Sequence, residues 1–245
     1  MNLLEVQGLR KTYPAFRLED VSFSVPEGAV MGLIGRNGAG KSTTLKSILG
    51  LVHPDAGRVE MFGREFSENE RYIKENIGVV LGGIDFYPKK KVRTITDVTR
   101  RFYSNWQEEK YRHYLDLFAI DENKRVDQLS SGMRVKYLLA LALSHNARLL
   151  ILDEPTSGLD PVSRDELAEL LRRIAADGTR SVLFSTHITS DLEKCASHIT
   201  FIQEGRLQRS DTLTGFMAHY ADLGSTLEEI IVAAERRPDD ADAII

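Results

Sequence analysis

One cysteine, Cys195, is all that the 245-residue sequence contains. No intramolecular disulfide can form, and the chain suits a reducing compartment. With 18 glycines and 7 prolines it is no collagenous or low-complexity scaffold. No apolar run comes near the roughly 18 residues that span a bilayer; the longest are Tyr137 to Leu143 and Leu149 to Leu152. The start, Met1-Asn2-Leu3-Leu4-Glu5, lacks the basic-then-apolar pattern of a secretory leader. The expected location is the cytosol, with any action on a membrane passing through a partner. Basic charge has no surplus: 32 Lys and Arg face 36 Asp and Glu, a net charge of −4. This argues against a nucleic-acid binder that relies on a global basic field and leaves a local patch open. No internal repeat is visible. What remains is ordinary for a globular protein, 42% hydrophobic and 28% charged, with length for a substantial core in one domain or two packed lobes.

Residues 3 to 34 read as short strands. Val21 to Val25 alternates with period two, a half-buried strand, and Val30 to Ile34 is a continuous apolar run, a strand buried on both faces. A glycine-rich loop and a helix from Lys41 to about Leu51 follow. From about Ile95 to Phe118, aromatics and charges recur at helical spacing (Phe102, Trp106, Tyr111, Tyr114, Phe118), predicting a separate helical lobe whose aromatic stripe is core packing. The α/β pattern then returns: a helix over Met133 to His145, a buried strand at Leu149 to Leu152, and a helix opened by Asp160-Pro161 that stops near Gly178. Ser181 to Phe184 is a further buried strand. Ser190 to Glu193 reads as a capping box, Ile199 to Leu207 as a hairpin, and Leu227 to Glu235 as an amphipathic helix.

Four places carry chemistry. Gly35-Arg36-Asn37-Gly38-Ala39-Gly40-Lys41-Ser42 matches G-x-x-x-x-G-K-[ST]. Its glycines let backbone N–H groups curl around a phosphate, and the following helix points its N-terminus at the same anion. Lys41 adds a point charge, and the Ser42 hydroxyl can ligate Mg²⁺. Asp153 and Glu154 end a buried strand; Asp153 suits a water-shelled Mg²⁺ and Glu154 suits a water-activating base, or the pair is a solvated strand end. His187 closes another apolar strand, as a structural side chain or as a γ-phosphate ligand. Ser130 precedes a helix N-terminus, as a plain cap or as part of an anion site.

In this order the residues resemble the nucleotide-binding subunit of an ABC (ATP-binding cassette) transporter, over nearly the whole chain. The resemblance rests on Tyr13, the P-loop Gly35 to Ser42, a signature segment Leu129 to Met133, a Walker B strand Leu149 to Glu154, a D-loop Ser157 to Asp160, and a switch histidine, His187. It implies an α/β fold: a P-loop NTPase RecA-like core with an N-terminal antiparallel β subdomain and an inserted α-helical subdomain. Residues 1–245 would be one cassette, with the helical subdomain at about 90–145 and the C-terminal helix at about 226–236. It implies ATP and Mg²⁺ as ligands. Tyr13 would stack on adenine; Gly35, Asn37, Gly38, Ala39, Gly40, Lys41, Ser42 and Thr43 would bind ATP; Ser42 and, through water, Asp153 would hold the metal. Glu154 would be the general base and His187 the γ-phosphate sensor. Ser130, Ser131 and Gly132 would bind the ATP held by a second cassette, homo- or heterodimeric, and Asp160 would touch that partner. The two would power a membrane-spanning permease on a separate chain, from the inner face of the cell membrane, with no role for nucleic acid.

Two departures from the family pattern stand out. In the segment Ile77 to Gly83, Gly82 stands where the family usually has glutamine, and Ser131 and Met133 replace the usual glycine and glutamine of the signature. With Phe86 and Tyr87, these features resemble cassettes of Gram-positive exporters that handle bacteriocins, cytolytic peptides or cell-envelope antibiotics. The segment Phe86 to Lys91 would be the permease-docking loop, or else a solvated one. Two alternatives follow: a hydrolysis-impaired cassette paired with a competent sister, and a soluble ABC ATPase unconnected to transport.

Overall fold

The computed structural model describes residues 1–81 and 87–235, so Gly82 and Phe86 lie outside the described residues. β1 (Asn2–Tyr13) and β2 (Phe16–Pro26) form an antiparallel hairpin. β4 (Ala56–Met61) pairs with the other edge of β1, and the short β5 (Arg64–Glu65) pairs with β4. A second set is parallel: β9 (His198–Gln203), β3 (Val30–Ile34), β8 (Ser181–Thr186), β7 (Leu149–Asp153) and β6 (Ile77–Leu81), in that spatial order. β10 (Arg206–Thr212) runs antiparallel to β9 and meets β2 at the pair Arg206 and Glu19, joining the two sets into one sheet.

Burial explains the sequence patterns. Every residue of β3, β7 and β8 is buried, because helices cover the parallel sheet on one face and the β1–β2 layer, with the helix over Lys41–Ile48, covers it on the other. Continuous apolar runs are what such strands require. One core contains Leu45 and Ile48 of α1 (Lys41–Ile48) together with Leu4, Leu18 and Met31. The other gathers α5 (Ser131–Ser144), α6 (Pro161–Ala175), α7 (Thr189–Cys195), α8 (Leu213–His219) and α9 (Leu227–Glu235) against the sheet. Gly32 of β3 permits the closest of these approaches: a Cβ there would lie 1.9 Å from the Leu192 side chain of α7.

Between β6 and β7 the chain forms α3 (Val92–Thr99), α4 (Glu108–Leu117) and α5, which share a core of their own around Val92, Tyr111, Leu115 and Tyr137. Its centre is polar but satisfied: the Thr96 hydroxyl is 2.7 Å from that of Tyr111 and 2.9 Å from that of Tyr137. The remaining helix, α2 (Phe66–Asn76), leads into β6.

Three local expectations change. The helical spacing over 95–118 is interrupted by a 3₁₀ turn at Arg100–Phe102 and an extended Gln107, which leaves Phe102 73% exposed while Tyr111 and Phe118 are buried. The first helix stops at Ile48, because Gly50 turns into the left-handed region. The Ser190–Glu193 capping box does not form. α7 begins earlier, at Thr189, without a side-chain cap, and Asp191 is buried in an ion pair with Arg164.

Candidate functional site

β3, β7 and β8 run parallel, so their carboxyl ends deliver three loops to one rim of the sheet. That rim is where open α/β sheets hold ligands. From β3 comes the loop 35–40. Gly40, at φ 111, caps α1 in a conformation that a side chain would strain, and a Cβ there would lie 2.9 Å from the Phe16 ring. The loop is held from inside by Lys41, 4% exposed, whose Nζ donates to the carbonyls of Gly35 (2.7 Å) and Arg36 (3.1 Å). Burial pushes the Lys41 pKa down, and the carboxylates of Glu154, Asp153 and Glu235 pull it back up.

From β7 come Asp153 and Glu154. Asp153 Oδ1 accepts from Ser42 Oγ at 3.1 Å and from Ser185 Oγ at 2.6 Å. Ser185 Oγ also accepts from the Glu154 N–H at 2.9 Å. Glu154 has φ 47, a left-handed backbone that costs a non-glycine residue on the order of 1–3 kcal/mol. This turns its carboxylate back over the loop: Oε1 lies 3.7 Å from Lys41 Nζ and 3.3 Å from Nδ1 of His187, which follows β8. The fold thus brings together Lys41, Ser42, Asp153, Glu154 and His187. Sequence reasoning missed Ser185. Its one signal is a fully buried hydroxyl near the end of an apolar strand.

An open groove of about 450 Å³ runs over this loop, lined by Ala15, Phe16, Asn37, Gly38, Gly40, Lys41, Ser42, Thr43 and Glu154. Phe16 is a second aromatic that the sequence reading passed over. Tyr13 stands across the hairpin from it, 38% exposed, with Lys11 Nζ 5.8 Å from its ring.

The other expected residues sit against one another. Ser130 caps α5, its Oγ accepting from the Met133 N–H at 3.2 Å. Ser131 Oγ donates to the Gly158 carbonyl at 3.3 Å. Gly132 approaches Ser163, which a Cβ would meet at 3.4 Å. Asp160 caps α6 through the N–H groups of Val162 and Ser163, and the Ser163 hydroxyl and these amides hold its pKa below the ordinary value.

Known proteins resemble this chain in sequence and fold. A family model described as "ABC transporter" matches residues 18–157. The bacitracin transport ATP-binding protein BcrA of Bacillus licheniformis is 32% identical over 208 residues, 84% of this chain and 68% of that protein. The Nod factor export ATP-binding protein I of Burkholderia orbicola is 39% identical over 191 residues, 76% of this chain and 62% of that protein. The chain therefore spans about two thirds of the length of these relatives. A solved ATP-binding subunit of an ABC transporter superposes with a TM-score of 0.84 at 28% identity, covering 96% of this chain and all of that one. An ATP-binding cassette solved as a dimer in a post-hydrolysis state with ADP and Pi shares the fold, with a TM-score of 0.75 at 21% identity over 86% of this chain and 98% of that one. The fold is thus that of the P-loop NTPase cassettes.

Proposed function

The chain belongs to the ABC transporter family as an ATP-binding subunit, and from that premise we propose that it hydrolyses ATP to power a membrane exporter. The observation that carries this reading is the convergence of Lys41, Ser42, Asp153, Glu154 and His187 on one rim of the sheet. Amides of the loop 35–43 and the N-terminus of α1 bind the β- and γ-phosphates, and Lys41 neutralises them. Tyr13 stacks on adenine.

Ser42 Oγ and Asp153 Oδ1, 3.1 Å apart, form an all-oxygen donor pair of the kind a hard cation takes. Among the described residues no cluster of three or more His, Cys, Asp or Glu could hold a metal ion; Mg²⁺ is the cation this pair would hold. When bound, it supplies charge neutralisation at those phosphates. Ser42 would hold it directly, and Asp153 would hold it through water.

Glu154 accepts a proton from the water that attacks the γ-phosphorus, the bond to the ADP oxygen breaks, and ADP and phosphate leave. His187 Nδ1 lies 3.3 Å from the Glu154 carboxylate, and with ATP bound the ring turns an N–H to a γ-phosphate oxygen. Ser130, Ser131 and Gly132, at the N-terminus of α5, complete the phosphate shell of a partner cassette, and Asp160 touches that cassette. Two cassettes close head-to-tail over two Mg-ATP. A cassette of the same fold solved as a dimer with ADP and Pi supports pairing of two cassettes.

No helix among the described residues is long and apolar enough to cross a membrane. The proposed arrangement is a cytoplasmic cassette on the inner face of the membrane, with the permease on a separate chain and α3 to α5 as the inserted lobe. The name of the Nod factor relative supports export, and that of the bacitracin relative supports transport.

Glu154→Gln tests the reading. With saturating Mg-ATP it should elute from gel filtration as a dimer that turns over no ATP. A Glu154→Gln protein that stays monomeric under those conditions overturns the head-to-tail assembly.

A further inference from the structure

The C-terminal helix reaches the nucleotide loop. α9 is fixed at three places. Glu229 and Thr226 cap its start reciprocally, the Glu229 N–H donating to Thr226 Oγ1 at 3.2 Å and the Thr226 N–H to Glu229 Oε2 at 3.2 Å. The Leu227 N–H donates to Glu193 of α7 at 3.0 Å. At the other end, Gln203 Nε2 donates to the Ala234 carbonyl at 3.3 Å. Leu227, Ile230 and Ile231 are buried in the main core. A helix held in this way presents its last residue, Glu235, with little freedom.

Glu235 meets the loop at one peptide unit. Its Oε1 accepts from the backbone N–H of Arg36 at 3.0 Å. The carbonyl of that same peptide, Gly35 O, accepts from Lys41 Nζ at 2.7 Å. The Gly35–Arg36 peptide is therefore gripped from both ends, by a carboxylate on its N–H and an ammonium on its C=O. Two hydrogen bonds at opposite ends of one peptide unit fix the plane between them. The next carbonyl, Arg36 O, is the second acceptor of Lys41. The Glu235 side chain is 9% exposed, so water competes poorly for its oxygens. Burial raises its pKa; the Arg36 N–H, the Arg36 side chain and Lys41 pull it back. The ion pair to the Arg36 guanidinium is longer, 3.6 Å, with Arg36 71% exposed, and contributes little.

We propose that Glu235 is a positioning residue for ATP: through the Gly35–Arg36 peptide it holds the two carbonyls that aim Lys41 at the phosphates, making the C-terminal helix part of the nucleotide site. This rests on the assignment of Lys41 to the phosphates. The acceptor oxygen at the right reach does the work, and the charge is secondary.

The test compares Glu235→Ala, Glu235→Asp and Glu235→Gln with wild type in the full chain, measuring Mg-ATP binding by calorimetry and the KM and kcat of hydrolysis. Glu235→Asp keeps the charge but withdraws it by one methylene; Glu235→Gln keeps the acceptor and the reach. Ala and Asp should raise Kd and KM about tenfold, near the upper end for one lost hydrogen bond, with kcat changed less than about threefold. Gln should stay within about twofold of wild type. Thermal unfolding of the nucleotide-free proteins confirms that each variant folds, and Asp serves if Ala does not. Wild-type Kd and KM in Ala and Asp overturn the proposal, and so does a Gln variant as impaired as Ala. Lys41→Ala runs alongside. If it binds Mg-ATP as wild type does, the phosphate-site reading fails and the Glu235 role with it. If it loses binding while Glu235→Ala keeps the wild-type Kd, only the Glu235 role falls.

Discussion

Replacing His145 by Phe should remove part of the acid sensitivity of the fold. The imidazole follows the C-terminal end of α5, 2% exposed and stacked on Tyr103 with ring centroids 3.7 Å apart. Its Nδ1 has no hydrogen-bond partner. Burial pushes its pKa from 6.5 down to about 4, and a backbone hydrogen bond to Glu75 raises it back only in part. The folded pKa lies below the unfolded one, so the unfolded chain takes up the proton first as pH falls. The contribution is intact above about pH 6.5 and is lost progressively down to about pH 4. At about 1.4 kcal/mol per unit of pKa difference, the loss between about pH 7.5 and 4.5 is about 2.5 kcal/mol. Phe keeps a ring against Tyr103 and cannot titrate. Urea unfolding of both proteins across that window gives the stability at each pH. The carboxylates titrate alike in both, so the difference isolates His145. Wild type should lose about 2.5 kcal/mol more than His145→Phe. Parallel profiles refute a buried neutral imidazole.

Arg164→Leu should destabilise the protein by about 3–5 kcal/mol in urea, because it strands Asp191, 2% exposed with Oδ2 already unpartnered. The pair Arg164→Leu with Asp191→Leu should recover most of that, and a single-variant cost under about 1 kcal/mol contradicts the buried pair. Tyr13→Ala should weaken ATP binding by about 1–3 kcal/mol, the range for one aromatic on one base, with Tyr13→Phe near wild type. Unchanged affinity in Tyr13→Ala, with the loss appearing in Phe16→Ala, assigns adenine to Phe16 instead.

Much of the site was legible because its parts are local. A P-loop is one contiguous run whose glycines are required by backbone geometry, and Gly40 at φ 111 is such a case. Asp160-Pro161 announced a helix start, and the carboxylate caps that helix through Val162 and Ser163. The capping box at Ser190 failed for a non-local reason. Both of its side chains bond to distant partners: Ser190 Oγ accepts from Arg164 at 3.2 Å and Glu193 Oε1 accepts from the Leu227 N–H at 3.0 Å. Ser185 escaped notice because a serine in an apolar strand announces nothing until Asp153 of the neighbouring strand is seen beside it.

By itself the sequence determined the strand–loop–helix around Lys41, the acid pair and histidine at strand ends, and the fully buried strands. These follow from short-range chemistry: a period of two or 3.6, a left-handed glycine, a cap. Only the tertiary structure decided which side chains complete the rim. Strand pairing across the sheet sets Ser185 against Asp153. The left-handed backbone of Glu154 brings its carboxylate to Lys41 and His187. A helix at the far end of the chain places Glu235 on the N–H of Arg36, 199 residues away, where no local pattern could reach.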